Sequence, residues 1–453
     1  MALHTDYYVR WKNFRAFPDT DWIVIKPLTI LIGPNNAGKT SMTAPLLLMA
    51  QTSSSEDISS PLVTRGGLFD AGNYADLIHS RNKGKDLFLG FRYHVHPPGK
   101  RKISKVGTYP PGAAELTFAW DRKNNGIILK QCRVFDFYAR LMLEQRRLSN
   151  GQYRLKGRNL EGMTLAERFA ISSARLTNFF FSVAATMSAY DRRVRGEDAK
   201  RKQRRHTHAF QEYLSIIGFM MSEMRGVLAA LSYIGPIRER PRRYYEVKNE
   251  GPLSVGPRGE NAPDLLRRRF NSIRSGINRW VRAFEFGDRL LLEDLSDSLF
   301  TLCFARSKRA QTISIADAGF GASQVLPLVV QALTGSRGSL TIAEQPEIHL
   351  NPRLQCVLGD LLCEMANADQ RVVVETHSEH LLLTVRRLVA EKKITSDKVA
   401  IYYIEGAGGK ASIRSIPLTS NGGVPEKHWP KGFFEDGLRE ALALASAQTA
   451  RKS

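Results

Sequence analysis

Cysteine is scarce in this chain, and its scarcity excludes two classes of protein. Only four of the 453 residues are cysteine, and no two of them form a CxxC pair. A disulfide scaffold needs many closely spaced cysteines, and a Cys-rich zinc site needs its ligands in short pairs. The sequence therefore indicates a protein that is held together by an apolar core.

Long apolar runs are also missing. No stretch approaches the ~20 apolar residues of a membrane-spanning helix, and residues 1–14 lack the apolar segment of a secretory signal. The apolar content of 43% and the charged content of 24% are those of ordinary folded domains. We therefore expect a cytoplasmic protein without membrane contact, long enough for two or three domains.

Acidic residues are few relative to basic ones. The chain has 66 Lys and Arg residues against 44 Asp and Glu residues, a net charge of +22. The cations concentrate in residues 146–158, 192–205 and 238–269, and a large positive charge is typical of proteins with a polyanionic partner. Three interpretations stay open: solvated faces, contact with a nucleic-acid backbone, and docking of an acidic protein. Because aromatic residues are not interleaved in residues 192–205, stacking on single-stranded bases is not indicated.

A Gly-rich loop after an apolar run carries the first chemical motif. Leu28–Ile32 is predicted to be a buried strand, and Gly33–Thr40 (GPNNAGKT) matches the GxxxxGK[ST] pattern before a predicted helix. In such a loop, backbone N–H groups surround phosphate oxygens, the lysine reaches the β- and γ-phosphates, and the hydroxyl ligates Mg²⁺. The predicted nucleotide-binding residues here are Asn35, Asn36, Ala37, Gly38, Lys39, Thr40 and Ser41, of which Thr40 is also a predicted metal ligand.

Two further strands are predicted to end in polar residues. Gly338–Ala343 leads into Glu344, and we expect this strand to lie next to the Gly-loop strand so that the Glu344 carboxylate holds Mg²⁺. Arg371–Thr376 leads into His377, which is placed to sense or polarise the γ-phosphate. A lone histidine more often has a structural role, but the position after the next strand favours the functional one.

A small-residue segment precedes a predicted core helix between these motifs. It reads Asp317–Gln324 (DAGFGASQ) and is followed by the apolar run Val325–Leu333. Ser323 stands where a helix N-cap is expected, and small residues allow a phosphate to approach backbone N–H groups. Gly321 and Ser323 are therefore predicted to bind the γ-phosphate of a nucleotide held by a second subunit. The alternative is an ordinary Gly-rich turn before a core helix.

The motifs GPNNAGKT, DAGFGASQ, EQPEIHLNP and VVVETHS, in this order, resemble the ABC-type ATPase domain of the RecF, SMC and OLD (overcoming lysogenization defect) group. The resemblance implies an α/β fold with a mixed sheet, antiparallel hairpins and an inserted helical block, and it implies ATP and Mg²⁺ as cofactors. The segment Lys12–Phe17 resembles the N-terminal strand and turn of that group, in which an Arg approaches the nucleotide, which adds Arg15 to the nucleotide-binding residues.

A narrower resemblance is carried by Tyr233–Pro241, Val255–Glu260 and Trp429–Phe434. These segments resemble compact ATPases of bacterial anti-phage systems, of which AriA of the PARIS system comes first and the Septu ATPase second. The resemblance implies a homo-oligomer, at least a dimer or a larger ring. In this group the segment that corresponds to Asp317–Gln324, called the signature segment, acts on a nucleotide held by another subunit. It also implies a separately encoded effector nuclease of the TOPRIM or HNH type and a phage trigger protein.

One position departs from the family pattern. The family places a second carboxylate directly after the strand acid to position the attacking water, and this chain has Gln345 there. Glutamine can orient water but cannot accept a proton, so we expect either that hydrolysis is slow or that Glu347 or His377 assists it. The Q-loop is also weak: Asn73 and His79 are candidates, but a plain loop-to-helix segment fits equally well. Catalytic candidates are thus Glu344, Gln345, Glu347 and His377.

Five segments are predicted along the chain. They are an ATPase lobe with the Gly-rich loop (1–114), a β-hairpin segment (115–160), a basic helical block (161–233), a second ATPase lobe (234–436) and a tail (437–453). Thr164–Glu167 fits a helix capping box. The helical block is too short for the long coiled-coil arm of SMC proteins.

Three functions are weighed. The first is a slow ATPase that acts as sensor and scaffold of an anti-phage system and controls a separate toxin or nuclease. The alternative is a RecF-like DNA-binding repair ATPase, which the positive charge favours. A self-contained nuclease of the OLD type is disfavoured because no DxD pair follows His377.

Overall fold

The computed structural model describes residues 4–57, 59–96, 111–136, 139–157, 160–173, 176–177, 180–181, 183–197, 207–249, 251–306, 311–407, 409–430 and 443. It divides into two compact units. Unit one comprises Met1–Ile25, Thr40–Leu231 and Gly406–Ser412, and unit two comprises Lys26–Lys39, Ser232–Glu405 and Ile413–Ser453. The five predicted segments stay a prediction, and the tail predicted at 437–453 lies almost entirely outside the described residues.

The strands are β1 (His4–Phe14), β2 (Phe17–Asp19), β3 (Ile23–Ile25), β4 (Leu28–Ile32), β5 (Leu87–His96), β6 (Pro111–Asp121), β7 (Gly126–Asp136), β8 (Leu141–Arg147), β9 (Tyr153–Gly157), β10 (Leu176–Thr177), β11 (Phe180–Phe181), β12 (Leu231–Ile234), β13 (Tyr245–Glu246), β14 (Arg289–Ser296), β15 (Leu299–Arg306), β16 (Gln311–Ser314), β17 (Leu340–Glu344), β18 (Arg371–Glu375), β19 (Val399–Ala407) and β20 (Lys410–Ile416). The helices are α1 (Lys39–Ser53), α2 (Tyr74–Leu77), α3 (Leu165–Ser173), α4 (Val183–Glu197), α5 (His208–Ala229), α6 (Ala262–Ala283), α7 (Phe320–Thr334), α8 (Pro352–Asn367) and α9 (Glu379–Ala390).

An antiparallel sheet forms most of unit one. Its order is β2–β1–β5–β6–β7–β8–β9, and β3 also pairs with β1. Alternate residues of β1 point into the core, as the two-residue period of a strand requires, and Val9 and Trp11 are fully buried. The predicted hairpins of residues 115–158 are confirmed, because β6 pairs with β7 and β8 with β9 across short turns.

The predicted helical block is confirmed in part. The capping box is present: the Thr164 N–H donates to Glu167 Oε2 at 2.8 Å, and the Glu167 N–H donates to Thr164 Oγ1 at 3.2 Å. The block predicted at 161–233 is not helical throughout, however, because β10 and β11 pair between α3 and α4. The adjacent aromatic residues Phe180–Phe181 favour a strand there. The basic run at 200–205 lies outside the described residues.

A six-stranded sheet organises unit two. Its order is β12–β17–β18–β4–β19–β20, and β17, β18, β4 and β19 run parallel. Strands β17, β18 and β4 are buried along their whole length, which agrees with their mostly apolar sequences. The α/β class with parallel and antiparallel sheets is thus confirmed.

The strand order corrects one expectation. The strand that ends in Glu344 does not lie next to β4, because β18 intervenes and pairs with both. The register sets Glu344 opposite Glu375, and Glu375 opposite Leu31. The carboxyl ends of parallel strands share one edge of a sheet. The Gly-rich loop, Glu344 and His377 therefore all follow this edge.

A smaller antiparallel sheet, ordered β13–β15–β14 with β16 beside β15, completes unit two. Its residues Phe300 and Phe304 share one buried core with Trp280 of α6 and with the strands of the six-stranded sheet. Among the described helices, none is both long and apolar enough to span a membrane.

Candidate nucleotide-binding site

The Gly-rich loop adopts a backbone that its glycines make possible. Gly33 has a φ of +150°, and a Cβ added there would lie 2.1 Å from the carbonyl oxygen of Ile404. Gly38 has a φ of +105° and Asn36 one of +59°, both in the left-handed region. Glycine is therefore needed at Gly33 for two reasons: the backbone conformation and the close approach of β19.

Lys39 is folded back into this loop. Its side chain is buried, and its Nζ donates to the carbonyl oxygens of Gly33 at 3.0 Å and Pro34 at 2.7 Å. Burial lowers the pKa of the Lys39 ammonium, while the charges of Glu375 and Glu347 act in the opposite direction. Within the described residues, the hydrogen bonds of this buried cation thus go to neutral carbonyl acceptors.

The helix after the loop presents its positive end. Helix α1 begins at Lys39, so Thr40 and Ser41 occupy its first turn, and that turn contains no acidic residue. Asn35 and Asn36 are exposed and Ala37 is buried. A helix N-terminus without a neutralising acid favours an anionic ligand.

Glu344 ends β17 in a buried position. Its Oε1 accepts a hydrogen bond from the Tyr233 hydroxyl at 3.0 Å, and its main-chain carbonyl accepts from Arg238 Nη2 at 3.0 Å. Burial raises the pKa of the Glu344 carboxyl, and the Tyr233 hydrogen bond and the Arg238 charge oppose that shift.

The next residues form a tight turn at the same edge. Gln345 has a left-handed backbone, with a φ of +44°, and its N–H donates to the Glu375 carbonyl at 2.7 Å. Glu347 accepts from the His377 N–H at 2.8 Å through Oε1, and its buried Oε2 has no partner among the described residues. Burial raises the pKa of Glu347; burial, and then the Lys39 charge, lowers the pKa of His377. Lys39, Glu347 and His377 are therefore near neighbours.

The signature segment differs from the prediction at its cap. Helix α7 begins at Phe320 with Gly319 as its N-cap, so Ser323 lies inside the first turn and is not the N-cap. Gly319 has a φ of +84°, which starts the helix earlier than a serine cap would. Ser323 is buried and its Oγ accepts from Gln324 Nε2 at 3.3 Å, while Gly321 approaches the carbonyl of His349.

Two residues of the site escaped the sequence analysis. Tyr233 lies within β12 and Arg238 follows that strand, and Arg238, expected in an exposed basic cluster, is only 5% exposed. Its Nη1 donates to Gln324 Oε1 at 3.3 Å, and burial lowers its pKa to about 10. The sequence signal that could have identified Arg238 is its position shortly after the buried strand β12. Arg243 of the same segment is exposed and forms two hydrogen bonds of 2.9 Å with Asp317.

Arg15 and the Q-loop candidates all belong to unit one. Arg15 has a φ of +46°, and its guanidinium lies 4.9 Å from the ring centre of Phe69; burial lowers its pKa. Asn73 caps α2, accepting from the Ala75 N–H at 2.8 Å, and His79 Nδ1 lies 2.7 Å from the Arg15 carbonyl. These bonds fit the alternative of a plain loop-to-helix segment.

The donor set at this edge suits one kind of metal. Across the described parts of the chain, no group of three or more His, Cys, Asp and Glu side chains could hold an ion alone. Magnesium commonly binds through one or two carboxylates, keeps several waters and takes its remaining ligands from substrate phosphates. The buried Glu344 carboxylate fits a Mg²⁺ ion that arrives with a nucleotide.

Comparison with known proteins identifies a family model described as an AAA ATPase domain, which matches residues 8–156 and 271–382, together more than half of the chain. A second model, DUF3696, described as a protein of unknown function, matches residues 394–444. No curated protein matches this sequence.

Several solved structures are similar. A SmcHead bound to the C-winged helix domain of ScpA is 14% identical with a TM-score of 0.40, and the match covers 91% of this chain and 97% of that one. The SMC head domain from Thermotoga maritima is 10% identical with a TM-score of 0.36, covering 92% and 100%. The Smc head from Pyrococcus furiosus, with an extended coiled coil bound to ScpA, is 11% identical with a TM-score of 0.39, covering 91% and 97%.

Proposed function

The chain belongs to the AAA ATPase domain family, and from that premise we propose that it binds ATP with Mg²⁺ at the Gly-rich loop and hydrolyses it slowly. The observation that supports this most directly is the convergence of Lys39, Glu347 and His377 at one sheet edge, with Glu344 ending the strand beside them. The ammonium of Lys39 sits on carbonyl oxygens, and phosphate oxygens are stronger, charged acceptors for it.

Glu344 would hold the Mg²⁺ ion, and the Gly-rich loop would hold the phosphates of the nucleotide. The Glu344 Oε1 is bonded to Tyr233, so its second oxygen is available to the water shell of the ion. A bound Mg²⁺ would supply neutralisation of the charge that develops on the phosphates. Asn35 to Ser41 supply backbone N–H groups and the Thr40 hydroxyl.

Water activation is divided between two residues. Gln345 orients the water, since an amide cannot accept its proton. Glu347 accepts the proton, because its carboxylate is buried at this edge and its raised pKa makes it a stronger base than an ordinary glutamate. His377, whose backbone holds the other Glu347 oxygen, polarises the γ-phosphate. Because Gln345 occupies the position of the family's second carboxylate and the proton goes to Glu347 instead, hydrolysis is slow. A slow ATPase is better suited to act as a regulatory switch than as a motor.

The test is phosphate release and ATP binding by the purified chain, with and without Mg²⁺. Lys39→Ala is expected to lose both ATP binding and phosphate release, since the variant lacks the cation at the centre of the Gly-rich loop. Lys427→Ala, which removes an exposed lysine of unit two, should behave as the unchanged protein does. Equal activity of the Lys39 and Lys427 variants, or no Mg²⁺-dependent release by the unchanged protein, would refute the proposal.

ATP is shared between two copies of the chain in this proposal. Gly321 and Ser323 lie in the first turn of α7, whose N-terminal end can bind the γ-phosphate of a nucleotide held by the second copy. The assembly is thus a homo-oligomer of at least two subunits, or a larger ring as in AriA. ATP binding should increase its mass, measured by light scattering during size exclusion.

The cellular role that fits a slow switch is control of a partner. Following the resemblance to AriA and the Septu ATPase, the chain is a sensor and scaffold of an anti-phage system that restrains a separately encoded TOPRIM or HNH nuclease until a phage protein triggers release. The neighbouring gene product should co-elute with the chain in at least one nucleotide state. Separate peaks in all states would overturn this role.

A second function, DNA-binding repair of the RecF type, is favoured by one observation. Arg146 and Arg154 lie directly opposite each other on β8 and β9, both exposed and without a carboxylate partner in the described residues. Like charges in that position destabilise a sheet, so a phosphate backbone would relieve them. Salt-steep binding of duplex DNA that also stimulates hydrolysis would favour repair over defence.

A further inference from the structure

The buried guanidinium of Arg238 touches two motifs at once. Its Nη1 donates to the side chain of Gln324, one residue after Ser323 in α7, at 3.3 Å. Its Nη2 donates to the main-chain carbonyl of Glu344 at 3.0 Å. A single planar group therefore joins the signature helix to the end of the strand that carries the acid.

The way in which Arg238 is buried is costly for the fold. Within the described residues its guanidinium makes no ion pair with a carboxylate, its bonds go to a carbonyl and an amide, and its buried Nε has no partner. A buried charge is normally paired, and an unsatisfied buried donor lowers stability. Apolar residues of similar volume commonly replace buried ionic groups without loss of stability. Packing alone therefore does not account for an arginine here.

The two acceptors explain its presence. Gln324 moves with α7, and the Glu344 carbonyl belongs to the peptide that leads into Gln345, whose φ of +44° is uncommon for a side-chain-bearing residue. Because the guanidinium fork is rigid, a displacement of Gln324 changes the position of this peptide, and with it the Glu344 carboxylate and the Gln345 amide.

We infer that Arg238 is a positioning residue that couples the signature helix α7 to the acid Glu344, so that engagement of α7 sets the geometry for hydrolysis. This inference rests on the proposed function, because it concerns the same ATP site. Arg238 itself does not contact the phosphates in this role, and it acts through Glu344 and Gln345.

The test compares Arg238→Lys with Arg242→Lys, an exposed arginine on the same segment, whose side chain is 68% exposed. Lysine keeps the charge but lacks the fork that reaches two acceptors. We expect Arg238→Lys to lower kcat about tenfold or more while KM for ATP changes less than about twofold, since binding elements are untouched. Arg242→Lys should leave both constants unchanged.

A double-mutant cycle with Gln324→Leu separates coupling from folding. If Arg238 acts through Gln324, Gln324→Leu alone lowers kcat, and the double variant is no slower than Arg238→Lys alone. Additive losses, an unchanged kcat, or a KM that rises with a constant kcat would each overturn the inference. Should Arg238→Lys fail to fold by thermal unfolding, the kcat and KM of Gln324→Leu decide the question alone. Absence of any Lys39-dependent hydrolysis in the unchanged protein would instead refute the proposed function itself.

Discussion

Replacement of Gly33 by alanine tests whether the Gly-rich loop is shaped by contact with β19. The added Cβ would lie 2.1 Å from the Ile404 carbonyl oxygen, much closer than such contacts ever are, and this oxygen is a backbone atom that cannot rotate away. An overpacked contact of this kind costs about 1–3 kcal/mol. A strained φ of +150° adds about 1–3 kcal/mol. The Gly-rich loop and β19 must therefore separate in the variant, and the free energy of unfolding should fall by roughly 2–6 kcal/mol in total.

Gly338→Ala is the matched control. Gly338 also has a positive φ, +78°, but no atom lies within 4 Å of the position of a Cβ, so its variant carries the conformational strain without the contact. The assay is the thermal midpoint together with the dissociation constant for ATP. We expect Gly33→Ala to lower the midpoint more than Gly338→Ala does, and to lose ATP affinity, while Gly338→Ala retains it. Equal midpoints and equal ATP affinities in the two variants would refute the contact argument.

Three further predictions follow from the same site and its surroundings. Because burial raises the pKa of Glu347, its charged carboxylate destabilises the fold above its folded pKa. Glu347→Gln should therefore abolish hydrolysis and raise the thermal midpoint at pH 7, and this gain in midpoint should shrink as the pH falls toward the usual glutamate pKa. A gain that does not depend on pH contradicts the titration of Glu347. Ser323→Arg should block ATP-dependent self-association in light scattering, and it should also lower the midpoint, because Ser323 is buried and the larger charged side chain does not fit there. The exposed Ser336→Arg should associate normally, and association of both variants contradicts a shared nucleotide. Arg154→Ala should raise the midpoint modestly, because it removes a like-charge pair worth about 0.2–1 kcal/mol, and should weaken any binding of duplex DNA at low salt; an unchanged DNA affinity shows that β9 is not the contact.

Local sequence patterns predicted the parts of the site that depend on local backbone. Leu28–Ile32 is a strand followed by a Gly-rich loop and a helix, and Glu344 and His377 follow strands at the same edge, because apolar runs and glycines act over a few residues. The position of β18 between β17 and β4 was not predictable in this way, since strand order is decided by pairing between distant segments. The start of α7 was also missed, because Gly319 and Ser323 are both acceptable caps and the backbone decides between them.

The positive charge of the chain separates into groups with different physical roles. Lys39 and Arg238 are buried beside acids and neutral acceptors, where desolvation lowers their pKa values and a partner molecule cannot reach them except by entering the site. Arg146 and Arg154 are exposed on paired strands, where only counterions or an external anion can screen their repulsion. A count of cations therefore overstates the surface available to a polyanion. Salt should steeply weaken the binding of duplex DNA at Arg146 and Arg154. The effect of Arg238 on kcat should depend on ionic strength far less, because Arg238 is shielded from solvent.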